Sequence, residues 1–345
     1  MSPLIWSLLI MSLSTGTIIT MSSYHWLMAW LGLELNTLSI LPIISKPHHP
    51  RATEAATKYF LIQAMAAALI MFASILNAWQ TGHWSITNTT NTTATTMITL
   101  ALLFKLGVAP MHAWYPEILQ GSTLSTAMIM TTWQKLAPMA LLCMMHTHLP
   151  QHLILITGLL STLVGGWSGL NQTQTRKIMA FSSIAHMGWL IITLHLNLSL
   201  TTTTLLIYII MTSTMFLTLN ATTTKTLTDM GMTWSQSPPL MTMMMISLMS
   251  LGGLPPLTGF MPKWLILSDL CHKHLILLST ALVVASLPSL FFYIRMAYFT
   301  VLTTPPSTTN THFKWRFKSK LTHGLTIIMM MTSMLLILTP LMTTT

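Results

Sequence analysis

The 345-residue chain is 52% hydrophobic and only 6% charged, whereas soluble domains carry about 25% charged residues. The composition therefore excludes an ordinary water-soluble protein and predicts an integral membrane protein. In a soluble chain the net charge of +10 would suggest nucleic-acid binding. Here the charged residues lie mostly in loops, where they indicate which side of the membrane each loop faces. We therefore expect no nucleic-acid partner. The two cysteines, Cys143 and Cys271, lack CxxC spacing, which argues against a disulfide framework, a zinc site or an iron–sulfur cluster.

Apolar stretches of spanning length recur along the whole chain, and we predict an all-α polytopic membrane protein with about 11 transmembrane helices. The first stretch contains no Lys or Arg, since the first basic residue is Lys46. It lacks the basic start of a cleaved signal and the Arg-rich pattern of a transit peptide, so we expect a retained helix. The predicted spans are 3–21, 24–45, 55–79, 96–115, 123–146, 151–170, 177–196, 201–221, 238–271, 276–301 and 323–342.

The fourth predicted span contains a charge and a helix breaker. The stretch TTMITLALLFKLGVAPMHAWYPE (95–117) places Lys105 near its centre, and Gly107 and Pro110 follow. An ammonium group at the bilayer centre costs about 2.5–3.5 kcal/mol on the insertion scale. A break beside it would free backbone carbonyls and admit water, and we predict an interrupted helix at this point.

The ninth predicted span is too long to be one uninterrupted helix. Residues 238–271 would extend about 51 Å as a continuous helix, against a hydrocarbon core of about 30 Å. The segment LGGLPPLTGF (251–260), with Pro255 and Pro256, supplies the interruption. Counting the stretch as two spans is the alternative, and it would put the C-terminus on the opposite side of the membrane.

The basic loop residues are distributed unequally between the two sides of the predicted topology. With the N-terminus on side A, only Lys273 falls on side B, and the asymmetry persists beyond the ninth span, which favours eleven spans over twelve. Positive residues mark the inner side, so side A is predicted to be cytoplasmic or its organellar equivalent, the matrix. The loop residues on side A are Lys46, Arg51, Arg176, Lys177, Lys225, Lys314, Arg316, Lys318 and Lys320.

The two interrupted spans occupy equivalent places in two groups of helices. Spans one to five and six to ten form two five-helix units, each with its broken helix in fourth place. Because five is odd, the second unit enters from the opposite side, as in the inverted repeats of transporters. We predict residues 1–150 as the first repeat, 151–301 as the second, and 302–345 as a basic loop with a last transmembrane helix.

Five ionisable side chains in the apolar spans are candidates for a proton relay: Glu34, Lys105, Lys135, His186 and Lys263. Such groups persist when they pair, line water-filled cavities or carry function. The alternative is snorkelling for the lysines, a fixed ion pair for Glu34 and a neutral packing residue for His186. A buried lysine whose carboxylate partner approaches or withdraws can store and release a proton, which favours the relay.

Three motifs carry a resemblance to a known family. FKLGVAPMHAWYPE (104–117), NQTQTRKIMAFSSIAHMG (171–188) and SLGGLPPLTGFMPKW (250–264) resemble signatures of the antiporter-like subunits of respiratory complex I. GLELN with RATEAATKYFLIQA (51–64), and TWQKLAP (132–138), are similar to one mitochondrial member in particular. The resemblance extends from about residue 20 to residue 300, and the segment 302–345 is less distinctive.

The resemblance implies roles for individual positions. It implies that Glu34 pairs with Lys105, that Lys135 bridges towards the centre, that His186 belongs to the connecting axis and that Lys263 belongs to a second half-channel. His186 stands in the second repeat where Glu34 stands in the first, so Lys263 has no obvious carboxylate partner within the chain. An acid from a neighbouring subunit is one candidate.

The resemblance also implies the setting of the protein. It implies a multi-pass protein of the mitochondrial inner membrane, with its N-terminus in the matrix and its C-terminus in the intermembrane space. The partners would be other complex I membrane-arm subunits, neighbouring antiporter-like subunits among them, and lipids such as cardiolipin.

The function implied is proton translocation by a non-redox subunit of an H⁺-translocating NADH:ubiquinone reductase. No cofactor is expected in this chain, because NADH, FMN, iron–sulfur clusters and ubiquinone would be handled by other subunits, and no Rossmann-type glycine fingerprint is present. Two other functions stay open. One is a free-standing cation/proton antiporter, which usually needs a carboxylate-rich site, and the other is a purely structural subunit.

Overall fold

The computed structural model describes residues 3–89, 91–233, 238–303, 324–334 and 336. Over these residues the secondary structure is helical apart from two isolated β-bridges, and the chain divides into two compact units, Met1–Ser161 and Thr162–Thr345. Seven of the described helices are long and apolar enough to cross a membrane. The basic residues predicted at 314–320 and the end of the predicted last span, 337–342, lie outside the described residues.

The first unit begins with three long helices. His25 Nδ1 accepts a hydrogen bond from Leu27 N, and His49 Nδ1 accepts one from Arg51 N, so both histidines act as N-caps. The third helix has 32 residues and is longer at both ends than the predicted span 55–79. The helices of this unit are α1 (Pro3–Ser22), α2 (Trp26–Ser45), α3 (Pro50–Thr81), α4 (Thr92–Leu106), α5 (Trp114–Gly121), α6 (Leu124–Thr131), α7 (Leu136–Met144) and the first part of α8 (Gln151–Gly169).

The fourth predicted span is two helices separated by a non-helical segment. Asn91 caps the start of α4 through its side chain, and α4 ends at Leu106. Gly107 follows with φ of +72°, the left-handed conformation in which glycine commonly terminates a helix. The chain resumes as a helix at Trp114, the first residue of α5.

The fifth predicted span, 123–146, is not the continuous helix that the sequence pattern suggests. A 3₁₀ turn, Trp133–Lys135, separates α6 from α7. The physical cause is Pro138, which has no N–H to donate to the carbonyl of Gln134 and whose ring crowds that carbonyl. The tighter 3₁₀ turn, in which Lys135 N bonds to Thr132 O, accommodates the chain at this point.

The second unit repeats the alternation of long helices with one interrupted helix. α12 ends at Gly252, Gly253 has φ of +80°, and the next helix begins at Phe260. Thr258, within this second break, donates a hydrogen bond to Thr332 O of the last described helix. The further helices are α9 (Thr175–Leu196), α10 (Leu198–Thr222), α11 (Leu227–Gly231), α12 (Pro238–Gly252), α13 (Phe260–His272), α14 (Ile276–Val301) and α15 (Leu325–Met334).

Each interrupted helix runs the length of an intact neighbour. In the second unit, Thr175 at the start of α9 bonds through its N–H to Lys225 O, just before the short helix Leu227–Gly231. Lys273, just beyond α13, donates to the carbonyls of His195 and Leu196 at the other end of α9. The 22 residues of α9 extend about 33 Å, enough to cross a hydrocarbon core. The chain between Lys225 and Lys273 therefore leads from one end of α9 to the other.

The first unit has the same arrangement around α3. Asn91, before α4, is hydrogen-bonded to Gln80 near the end of α3. Glu117 of α5 forms an ion pair of 2.6 Å with Lys58 near the start of α3. α4 and α5 therefore lead from one end of α3 to the other.

Candidate functional site

In the first unit, two of the predicted relay residues line one cavity. Lys105 and Lys135 are 7% and 4% exposed, and both line a small cavity, with room for about one water molecule, that Asn36, Tyr59 and Gln134 also line. These polar side chains give the cavity wall hydrogen-bonding groups as well as apolar surface. A cavity of this size can hold about one ordered water molecule, which these polar groups could hydrogen-bond.

Lys105 owes its position to the end of α4. It lies in the last turn of that helix, the end at which the helix dipole places partial negative charge. Among the described residues its ammonium nitrogen has no hydrogen-bond partner. A buried ammonium needs compensation, and the helix end supplies part of it.

Glu34 does not form the direct ion pair with Lys105 that the resemblance implies. The structure places no carboxylate oxygen of Glu34 within 4 Å of the Lys105 nitrogen. Instead, Thr37 Oγ1, one turn further along α2, donates a 2.9 Å hydrogen bond to Glu34 Oε2. Glu34 itself is half-buried.

Lys135 is placed by the 3₁₀ turn before α7. Its ammonium nitrogen lies 5.1 Å from the centre of the Tyr115 ring, a cation–π contact with the second half of the broken helix. The preceding residue, Gln134, donates through Nε2 to Asn36 O at 3.4 Å and lies 3.5 Å from Tyr59 Oη. The turn thus brings an amide and an ammonium group to the same cavity.

In the second unit, His186 and Lys263 line another small cavity, also with room for about one water molecule. Lys263, in the first turn of α13, reaches back across the break and donates a 2.8 Å hydrogen bond to Gly252 O, the last residue of α12. Like Lys105, it therefore lies at the carbonyl end of a half-helix. Gly253 leaves the space that the Lys263 side chain occupies.

His186 is held between two tyrosines. Its Nε2 lies 3.2 Å from Tyr293 Oη on α14, and its ring centre is 5.8 Å from that of Tyr208 on α10. The sequence pattern did not indicate either tyrosine as a site residue. Tyr293 is 107 positions from His186 along the chain, so only the folded structure reveals their contact.

The four residues predicted to break helices lie in the two non-helical segments. Gly107 and Pro110 are between α4 and α5, and Pro255 and Pro256 are between α12 and α13. No group of three or more His, Cys, Asp or Glu side chains that could hold a metal ion occurs in the part of the chain that the structure describes.

Comparison with known proteins first shows the broad class of membrane protein to which this chain belongs. The family described as "NADH:quinone oxidoreductase/Mrp antiporter, TM" matches residues 23–289. A chain of respiratory complex I from Thermus thermophilus with bound Aureothin has the same fold, with a TM-score of 0.83 at 24% sequence identity over 96% of this chain and 79% of that one. The protein is therefore an antiporter-like, multi-pass helical membrane protein.

Closer relatives define the family more narrowly. The description "NADH dehydrogenase subunit 2 C-terminus" matches residues 290–343. NADH-ubiquinone oxidoreductase chain 2 of Polypterus ornatipinnis is 49% identical over 99% of this chain and 98% of its own length. That of Carassius auratus is 51% identical over 92% of this chain and 91% of its own length. The chain belongs to the NADH-ubiquinone oxidoreductase chain 2 family, the membrane subunits of respiratory complex I.

Proposed function

We propose that this chain translocates protons within complex I through a relay of Glu34, Lys105, Lys135, His186 and Lys263. One observation carries the proposal: in each unit a lysine beside the carbonyl end of an interrupted helix lines a cavity that also has polar groups. Ionisable groups inside a membrane are costly, and they typically mark ion pathways and proton relays.

In the first unit the proton would pass between Lys105 and Lys135 across their shared cavity. Water there would hydrogen-bond the Lys105 ammonium and carry the proton towards Lys135. Glu34 favours the charged form of Lys105, and a second charge on Lys135 opposes it by like-charge repulsion. Because Glu34 is held by Thr37 rather than by Lys105, its carboxylate can approach the lysine by a change of side-chain rotamer.

In the second unit His186 and Lys263 would perform the corresponding transfer. An imidazole can accept a proton at one nitrogen and release one from the other, which suits a connecting position. The carbonyl of Gly252 stabilises the charged form of Lys263 in place of a carboxylate. A neighbouring antiporter-like subunit would supply any acid that this chain lacks.

Contacts at the helix ends support eleven spans with two inverted five-helix repeats. On one predicted side, Lys46 lies over the Trp6 ring and Thr175 bonds to Lys225. On the other, His25 stacks on Trp84 and Lys273 bonds to the end of α9. Each contact joins segments that the count of eleven puts on the same side. The matrix would face the first set, together with the N-terminus.

Redox chemistry would belong to the rest of the assembly. NADH, FMN, the iron–sulfur clusters and ubiquinone would be bound by other subunits, and this chain would couple their electron transfer to proton movement. Its partners would be other membrane-arm subunits, antiporter-like neighbours among them, and lipids of the mitochondrial inner membrane.

The test uses assembled complex carrying Lys105→Met or Lys263→Met. We expect proton translocation driven by NADH:ubiquinone turnover to fall at least threefold, with NADH oxidation by a water-soluble acceptor unchanged. Lys225→Met, at an exposed lysine outside both cavities, is the matched control. Translocation equal to the control in both variants would rule out the relay and leave a structural subunit.

A further inference from the structure

A buried hydroxyl next to His186 is not used by the relay described above. Tyr293 on α14 is 1% exposed, and its hydroxyl lies 3.2 Å from His186 Nε2. The same hydroxyl interacts with Ser182, one turn before His186 on α9. A buried tyrosine hydroxyl usually has a hydrogen-bond partner, and this one has two on the same helix.

The hydroxyl of Tyr293 can both donate and accept, and it rotates freely about its C–O bond. When His186 is neutral with its proton on Nδ1, Tyr293 donates to the unprotonated Nε2. When His186 is protonated, Nε2–H donates to the Tyr293 oxygen, and the hydroxyl proton turns towards Ser182. Ser182 Oγ donates to Met179 O at 2.8 Å, which leaves its lone pairs available to accept.

We propose that Tyr293 is a positioning residue for proton transfer through His186, because its hydroxyl reverses hydrogen-bond direction as the imidazole gains and loses a proton. This inference rests on the proposed relay function. The proposed role of Tyr293 explains how His186 can act in the second unit at the position where the first unit has the carboxylate of Glu34. Both protonation states keep a partner on Nε2, and neither requires a side chain to move.

The other groups facing His186 are consistent with this role. Lys263 of α13 lines the same cavity and is the charged group expected to exchange protons with the imidazole. Tyr208 of α10 has its ring at 5.8 Å and an interplanar angle of 49°, which fixes one face of the imidazole. Among the described residues lining the cavity, no carboxylate competes for the proton.

The deciding experiment is Tyr293→Phe in the assembled complex, with proton translocation measured in inverted inner-membrane vesicles. The ring stays and only the hydroxyl is lost, so the helices keep their packing. We expect translocation to fall roughly three- to tenfold, the range for loss of one ordinary hydrogen bond. Tyr298→Phe is the matched control, because it makes the same change on α14 at a side chain that is 52% exposed.

A double substitution separates positioning from mere packing. If Tyr293 acts through His186, Tyr293→Phe has no further effect once His186→Asn has removed the titrating group. An equal loss in both backgrounds, or translocation equal to the Tyr298→Phe control, would overturn the inference. Ser182→Ala offers a second variant, expected to lower translocation by less than Tyr293→Phe. If Lys263→Met also leaves translocation unchanged, the relay itself has failed rather than the role of Tyr293.

Discussion

The ammonium group of Lys263 donates a 2.8 Å hydrogen bond to the carbonyl oxygen of Gly252, which ends the first half of its broken helix. Lys105 also lies at the C-terminal end of a half-helix, but it belongs to the last turn of that helix, before the break. In one unit the lysine precedes the break, and in the other it follows the break and folds back. Both ammonium groups thereby gain the partial negative charge of a helix C-terminus. The geometry of the break is therefore as important to the site as the lysine.

Gly253→Ala tests whether the site depends on the geometry of the second break. Gly253 has φ of +80°, and a Cβ there would lie 2.8 Å from Lys263 Nζ and 3.0 Å from its Cδ and Cε. The substitution strains the backbone by about 1 kcal/mol and displaces the ammonium from Gly252 O. We expect proton translocation to fall to nearly the level of Lys263→Met, measured at matched amounts of assembled complex.

Gly82→Ala provides the control for backbone strain. Gly82 is also left-handed, with φ of +71°, but a Cβ there meets no atom within 4 Å. It should reproduce the small loss of stability without the loss of translocation. Equal translocation in the two alanine variants would mean that the Gly252–Lys263 contact is not required.

The two interruptions could be predicted from sequence because their causes are local. Glycine and proline next to a long apolar run indicate a helix end whatever the tertiary fold, and α4 and α12 end at Leu106 and Gly252 beside such residues. The 3₁₀ turn at Trp133–Lys135 also has a local cause, Pro138, but a single proline among good helix formers is a weaker signal. The apolar length of 123–146 therefore suggested one continuous helix.

The contacts of the candidate site could not be predicted in the same way. A hydrogen bond between His186 and Tyr293 depends on how α9 and α14 pack, and periodicity carries no information about that. The separation of Glu34 from Lys105 has a similar origin. Thr37 lies one turn from Glu34 and offers the carboxylate a nearby donor, whereas an ion pair would require a longer reach between helices.

Lys105→Met should separate function from stability. The Lys105 ammonium is buried and has no hydrogen-bond partner among the described residues, so replacing it with an apolar side chain of similar length removes a desolvation penalty. We expect the thermal unfolding midpoint of the assembled complex to stay the same or rise while translocation falls. Lys58→Met, which removes two exposed ion pairs of the same unit, should change the midpoint little. A clearly lower midpoint for Lys105→Met would instead assign this lysine a structural role.

The proposed orientation can be measured with the native thiol Cys271. This cysteine is exposed near the end of α13, on the side assigned to the intermembrane space. A membrane-impermeant maleimide should label it in mitoplasts and leave it unlabelled in sealed inverted vesicles, as read by peptide mass. Lys225→Cys, at an exposed position on the opposite side, should give the reverse pattern. Labelling of both positions from one side would disprove the alternation of spans between them.

Low pH should destabilise α11 by protonating the carboxylate of Asp229. Asp229 accepts hydrogen bonds from the backbone N–H of Thr226 at 2.9 Å and of Lys225 at 3.2 Å, and Thr226 Oγ1 accepts from Asp229 N. These bonds, chiefly the one from Thr226, hold the pKa of Asp229 below its usual value. Because the folded pKa is depressed, the carboxylate contributes its full stabilisation above the unfolded value of about 3.9, and this contribution is lost as the pH falls through the lower folded value.

Hydrogen exchange of the α11 amides in the assembled complex measures this effect. Asp229→Asn should increase local opening roughly fivefold at pH 7, as for loss of a helix cap. The difference from the unmodified chain should stay constant down to about pH 5 and shrink only below about pH 4. Asp269→Asn, which neutralises a carboxylate of α13 that accepts a hydrogen bond from Asn197 Nδ2, should leave α11 unchanged. A difference that disappears between pH 7 and pH 5 would point to a different titrating group, because a carboxylate with a depressed pKa stays charged throughout that interval.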